Sequence, residues 1–394
     1  MKPLILIAGG IVMALLLIFW IFLFFAGDDA RDELFNALNF GDTTGEDFGF
    51  EELFDTSNEG EGGLAALRQL SLRRVAGYMP YAATASSSAM VYITEAGTGH
   101  IYTLDPASGE ENRISNITIP TATQSVFSSD KTYAVVQTAD NSDTLMVVSL
   151  PHGSSTLDSY SIAADAFSFS LTDHNILLYA EQKNSSVVAY SYDLRKKVKT
   201  ALFTLPFRDA TIIWGNEVGS THFAYPKTSS QLEGYLYQIK NNSVTRLPIS
   251  GYGLSAIGND RSILFTKRDE DIYQTVLYTN ESKNMTFLTY AFLPEKCALD
   301  NDGMVCALSS QAYTVDSPDT WYSGEVTYSD ELWYTDSTGG VSSQMVNLEG
   351  ESGRQLDVVS LHVQSDTSTA FFINKTDQSV WIYEGDFMGN SGDN

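Results

Sequence analysis

The stretch VFSSDKTYAVV (126–136) sets two apolar runs on either side of a polar turn, and the same unit returns down the chain. It is read again in FSLTDHNILLY (169–179), IIWGNEVGSTHFAY (212–225), SAIGNDRSILF (255–265), CALDNDGMVCAL (297–308) and LHVQSDTSTAFFI (361–373). The turn residues Asp130, Asp173, Asn216, Asp260, Asp302 and Asp366 stand 43, 43, 44, 42 and 64 residues apart. One period before Asp130 lies Ser87, inside YAATASSSAMVYI (81–93), the same unit with a serine turn. A further apolar run follows each unit, as in HIYTLD (100–105), VVAYSYD (187–193) and SVWIYE (379–384). Shorter fourth elements are read in ENRIS (111–115), VTRLPI (244–249) and, ahead of the first unit, LRQLS (67–71). Alternating β-branched and aromatic residues between Gly, Asn, Asp and Ser turns indicate strands. A period near 43 carrying four strands is that of a propeller blade. The expected fold is all-β, a seven-bladed β-propeller of four-stranded blades over residues 64–386, preceded by one N-terminal transmembrane helix. A closed ring removes its sheet edges, so LRQLS is expected to complete the last blade.

Upstream, Pro3 to Ala26 contains no charge and is dominated by Leu, Ile, Phe and Val. At about 1.5 Å per residue such a helix crosses about 30 Å of hydrocarbon. The apolar run is longer than a signal-peptide core, and Phe24-Phe25-Ala26 lacks the small-x-small cleavage pattern. Residues 1–26 are therefore read as an uncleaved signal anchor, with residues 4–26 in the membrane. Lys2 precedes the span, and Arg31 follows it among Asp28, Asp29, Asp32 and Glu33. The positive-inside tendency then leaves the N-terminus cytoplasmic and the propeller extracytoplasmic. Residues 27–63 hold twelve acids and one arginine, so this spacer carries -11 of the net charge of -26. It reads as a self-repelling flexible linker. Its Phe residues leave open a docking segment around 33–38 or 50–54. Residues 387–394 read as a disordered tail.

The charge balance of 49 Asp and Glu against 23 Lys and Arg argues against nucleic-acid binding. A hydrophobic content of 43% argues against global disorder. Two cysteines are too few for a disulfide scaffold or a four-cysteine metal site. Cys297 and Cys306 flank the turn Asp300-Asn301-Asp302-Gly303. With Asn301-Asp302 as the tip, they fall opposite one another at a non-hydrogen-bonded pair, where Cα atoms approach to about 4.5 Å. A cross-strand disulfide is expected there; two small buried hydrophobes are the alternative.

The one break in the period, between Asp302 and Asp366, places a surplus in SSQAYTVDSPDTWYSGEVTYSD (309–330). Links from second to third strand share a face with the links between blades. Tyr313, Asp316, Asp319, Trp321 and Tyr322 in this loop are therefore candidates for recognition, because Trp and Tyr concentrate interface energy. The alternative is that Trp321 packs over the blade as a lid. No His or carboxylate spacing indicates a metal site, and no nucleophile elbow, phosphate loop or dinucleotide motif is present, so no catalytic residue and no cofactor is expected. First-strand positions that would line a funnel read apolar: Val126, Phe167, Ile212, Leu254 and Ala298.

GHIYTLDPASGEENRISNITIP (99–120), LPEKCALDNDGMVCAL (293–308), SPDTWYSGEVTYSDELWYTD (317–336) and STAFFINKTDQSVWIYE (368–384) resemble the single-pass, membrane-anchored propellers of candidate-phylum (Patescibacteria-type) bacteria. These in turn are similar to WD40-like and TolB-like propellers. The resemblance implies fold and tethering, and carries no activity. The expected role is a non-enzymatic module of the cell envelope that binds a protein or glycan or serves as a scaffold. The alternative is a propeller enzyme (lactonase, lyase or glycan hydrolase) using carboxylates at a central funnel.

Overall fold

The computed structural model describes residues 66–84, 88–139, 144–150, 158–163, 165–300, 303–364 and 368–385. The expected anchor, spacer and tail lie outside these residues. Among the described residues no helix is long and apolar enough to cross a membrane.

Antiparallel strands make up five four-stranded sheets and one of seven strands. In chain order the sheets span 75–113, 122–163, 166–205, 210–287 and 297–347, and the last joins 358–384 to Leu67–Ser71. Strand chemistry is local and regular. In Ser186–Asp193 the residues Val187, Ala189 and Ser191 are buried and their neighbours less so, the period of two that a strand imposes. Asn241 and Asn242 both take positive φ (51° and 61°) in the hairpin that pairs Lys240 with Ser243. A two-residue type I′ loop requires that geometry, and Asn tolerates it.

The seven-stranded sheet departs from the expected separation of VTRLPI from the strand after it. Ser243–Gly258 is one strand of 16 residues. Its first half pairs with Glu233–Lys240 and its second half with Ser262–Asp269, with a register shift between Tyr252 and Ser255. Gly253 sits in that shift at φ 60°, where a Cβ would lie 3.1 Å from the Tyr273 hydroxyl. A glycine there bends the backbone without a loop.

Each junction between sheets is filled by one apolar cluster. Ile101 and Ile119 meet Phe127 and Val148 between the first two sheets. Val147 meets Leu177 and Tyr179 at the next junction, and Phe203 meets Ala224 and Ile239 at the one after. Within the seven-stranded sheet, Phe223 and Leu236 of one half pack on Ile263 and Val276 of the other. Leu264 and Leu277 then meet Met304 and Cys306, and Leu332 meets Phe372 and Trp381. The row of sheets closes on itself where Phe371, Val380 and Ile382 of the last sheet pack on Val91, Ile93 and Leu104 of the first.

Pairing completes the closure. Leu67 stands opposite Tyr383, Arg68 opposite Ile382 and Gln69 opposite Trp381, so LRQLS is the outer strand of the last sheet. Arg68 adds an ion pair to Glu384 at 2.7 Å. On the innermost strands, the Tyr78 hydroxyl of the first sheet donates to Ser360 O (2.5 Å) and Phe371 O (2.8 Å) of the last. Between the first and second sheets the strands run so close that a Cβ on Gly77 would lie 2.2 Å from Ser125 O.

The turns that mark the repeat also tie successive hairpins together, between two sheets at Asp130 and within the seven-stranded sheet at Asp260. Asn175 Nδ2 donates to Asp130 Oδ2 at 2.6 Å, and the Thr221 amide donates to Asp260 Oδ1 at 2.8 Å. Partial burial opposes ionisation of Asp130, but hydrogen bonds from Asn175, Thr132 and Ser128 outweigh it and bring its pKa down to about 2. In the hairpin with the cysteines, Cys297 stands opposite Cys306 and Ala298 opposite Val305. The two Sγ atoms are bonded, with the Cα atoms 4.0 Å apart.

Two outcomes follow from this packing. Gly77→Ala forces backbone apart at the junction of the first two sheets and is expected to destabilise the protein by about 1–3 kcal/mol in urea unfolding. Gly219→Ala, where a Cβ meets nothing within 4 Å, is expected to leave the midpoint unchanged. Because the folded-state pKa of Asp130 is depressed, its contribution is present above the unfolded value and is lost as pH falls from about 4 towards 2. Asp130→Asn should therefore lower stability at neutral pH, with the gap to the native protein closing over that acid range.

Candidate functional site

The insert 309–330 leaves the strand Gly303–Ser309, makes one helical turn at Asp319–Tyr322, and returns into the strand Asp330–Asp336. The five recognition candidates within it separate by environment. Trp321 is 3% exposed, and its indole Nε1 donates to both carboxylate oxygens of Asp357 at 3.0 Å. Of the two readings of Trp321 the packed one agrees with its place: it is an interior side chain, drawn inward because its N–H finds a buried acceptor. Tyr313 stacks edge-on against Tyr273 and Tyr328, and burial pushes its hydroxyl pKa far up. Asp319 accepts from the Ser230 amide (3.1 Å) and hydroxyl (2.9 Å), so it pins the insert to a loop of the seven-stranded sheet. Asp316 is exposed. Tyr322 is 41% exposed, while its hydroxyl donates to Glu295 Oε1.

Beneath the insert lies a group of charges that spacing in the sequence did not reveal. Lys296 Nζ donates to Asp330 Oδ2 and Asp357 Oδ1, each at 2.5 Å, and all three side chains have zero exposure. The ammonium also lies 5.2 Å from the Trp321 ring centroid and 5.1 Å from that of Tyr328. Backbone amides add donors: Val358 N donates to Asp330 Oδ2 (2.7 Å) and Tyr328 N to Asp357 Oδ2 (3.2 Å). A second cation stands over the indole, with Lys375 Nζ 4.9 Å from the ring and donating to Trp321 O at 2.6 Å. Burial raises the pKa of Asp330 against the pull of Lys296, and burial lowers that of Lys375. Desolvated charges hold only when paired and hydrogen-bonded, so this network fixes four separate segments at one point. In sequence its only trace is the charged pair Glu295-Lys296 between the apolar ends of LPEKCAL.

The surface around the insert is apolar with an acidic rim. Arg268 donates to Val315 O (2.6 Å) of the insert and to Ser230 O (2.9 Å). Near it Leu232, Tyr252 and Val315 are exposed, with exposed Glu233 and Asp316 beside them in the chain. Of the positions expected to line a funnel, four pack instead in the apolar clusters between strands and sheets: Ile212 and Leu254 are buried in them, and Val126 and Phe167 lie half-buried against them, while Ala298 is half-buried.

Among solved structures the chain is similar to oligogalacturonate lyase from Vibrio parahaemolyticus, with a TM-score of 0.55 and 10% identity over 81% of this chain and 93% of that one. It is also similar to the β-propeller domain of the Trilobed protease from Pyrococcus furiosus, with a TM-score of 0.52 and 11% identity over 77% and 95%. A third similar structure is the β-propeller domain of Cps50 (Swd1) from Myceliophteria thermophila, at 0.50 and 10% over 75% and 94%. No protein-family model matches the chain, and no curated protein is similar to it. At such identities the likeness concerns fold alone, and the fold is that of a β-propeller.

Removing the cation between the two buried carboxylates is expected to be severe. Lys296→Met should destabilise the protein by about 3–5 kcal/mol in denaturant unfolding, with a change in the Trp321 environment visible in near-UV circular dichroism. An unfolding midpoint equal to the native one would contradict the role given to this network.

Proposed function

We propose that this chain is a membrane-tethered, extracytoplasmic propeller of seven blades that acts as a non-enzymatic protein- or glycan-binding scaffold of the cell envelope. The count of seven takes the seven-stranded sheet as two blades sharing the strand Ser243–Gly258, consistent with an apolar cluster between its halves. Tethering rests on the uncharged segment 3–26. The observation that carries the binding role is the group of exposed Leu232, Tyr252 and Val315 near Arg268. Exposed apolar side chains grouped within a polar rim mark interaction sites. The acidic rim suits a partner with apolar anchors and basic surroundings.

A propeller-type enzyme (lactonase, lyase or glycan hydrolase) at a funnel site is the second reading. Its support is that one similar structure is a lyase, at an identity that speaks only to fold.

Capture from an envelope extract separates the two readings. The native protein is expected to retain a partner that the double variant Leu232→Ser, Val315→Ser does not, since loss of two apolar contacts costs about a hundredfold or more in affinity. Recovery of the same proteins by both would remove the patch from the function.

A further inference from the structure

The turn 214–221 joins the strands Ala210–Ile213 and His222–Pro226 and reaches across to the third sheet. The Trp214 indole Nε1 donates to Ser168 Oγ at 3.0 Å, and Glu217 Oε1 lies 2.8 Å from His174 Nδ1. The turn's own backbone is held by a side chain, because the Gly215 amide donates to His222 Nδ1 at 2.9 Å. A Cβ on Gly215 would lie 2.5 Å from Ser220 Cβ and 2.8 Å from Thr221 O, so the turn closes this tightly only around glycine. The His222 side chain sits in a residue 3% exposed and packs on Trp214 and Phe203, with ring centroids 5.6 Å and 6.0 Å away. A ring nitrogen that accepts carries no proton, so this histidine is neutral with its hydrogen on Nε2. Burial lowers its pKa below the ordinary histidine value, against the opposing pull of a hydrogen bond to the Val218 backbone and of the Asp260 charge. Partial burial opposes ionisation of Asp260, but hydrogen bonds from Thr221 and Ser220 and the charge of Lys240 outweigh it. Asp260 therefore keeps its charge over the range in which histidines titrate.

We propose that His222 is an acid-sensitive latch: the neutral ring closes the turn 214–221, and protonation of Nδ1 opens that turn and loosens its tie to the third sheet. A proton taken from solvent by Nδ1 turns the acceptor into a donor facing the Gly215 N–H. Two donors then confront each other between aromatic rings, and the charge is without the water that would solvate it. Opening the turn relieves both. Because the folded-state pKa is depressed, the latch is fully closed above the unfolded value of about 6.5 and weakens as pH falls below it. The contact between His174 and Glu217 works in the opposite sense, since protonation of His174 strengthens it. The His174 side chain is 76% exposed, however, and an exposed pair of this kind contributes little. The latch is independent of what the propeller binds.

The test is hydrogen exchange of the full-length protein in detergent, read by mass spectrometry on peptides covering 214–221 at about pH 7.5 and about pH 5 and corrected for the intrinsic pH dependence of exchange. Protection in the turn is expected to fall about tenfold or more between the two conditions, as a histidine that titrates normally once released allows. The strand Ile272–Thr279 should keep its protection. His222→Asn, whose Oδ1 accepts from Gly215 but does not titrate, should be equally protected at both. His174→Gln should respond as the native protein does. Protection of the native turn unchanged by acid, a response lost in His174→Gln, or a response retained in His222→Asn would each overturn the proposal. The native and His174→Gln measurements decide the matter even where His222→Asn does not fold.

Discussion

A four-stranded sheet with an apolar residue on each of its faces is stable only between two neighbours. Every sheet here meets that condition, and a linear row could not, because its first and last members would each expose one face. The contact of Val91, Ile93 and Leu104 with Phe371, Val380 and Ile382 is therefore the one on which the others depend. It converts a row into a ring and leaves no sheet with an uncovered face. The strand Leu67–Ser71 and the bond from Tyr78 to Ser360 hold the same junction from its outer and inner sides.

The insert follows a different principle. It has one helical turn and few strand pairings of its own, so regular backbone hydrogen bonding does not fix its place. Buried charge does. Lys296, Asp330 and Asp357 come from the entry, the exit and the neighbouring sheet of the region it covers. Trp321 is locked onto the same aspartate. Such a network adds little net stability compared with apolar packing of equal volume, but it tolerates few alternative arrangements. A surface built on it presents Tyr322, Val315 and the Arg268 contacts in a single geometry, as a binding face needs.

How far the molecule was legible from its residues follows from the range of the forces involved. Strand alternation and hairpin turns are local, so VVAYSYD, SVWIYE and LRQLS could be placed, and the register facing Cys297 to Cys306 followed from one turn. The continuous strand Ser243–Gly258 was missed because Gly251 and Gly253 look like a loop until the bend they allow is seen. Trp321 and its loop read as a recognition surface because aromatic and acidic residues on an insert carry no mark of direction. Asp357 lies 36 residues from Trp321, so nothing in either segment announces that one buries the other.

The pairing of Arg68 with Glu384 spans 316 positions, which sets an order of events during synthesis. The strand Leu67–Ser71 cannot find its partner until the strand Val380–Glu384 has been made. The other junctions can form early from near neighbours, but this one waits, with one apolar face of the first sheet bare in the interval. Long-range closure of this kind is slow because the chain entropy is lost before the contact is gained. During that interval the open ring has an exposed sheet edge and an exposed apolar face, which are the features that invite pairing with another chain. A chain truncated before Val380 would remain in that state, so the strand Val380–Glu384 decides its solubility as much as its shape.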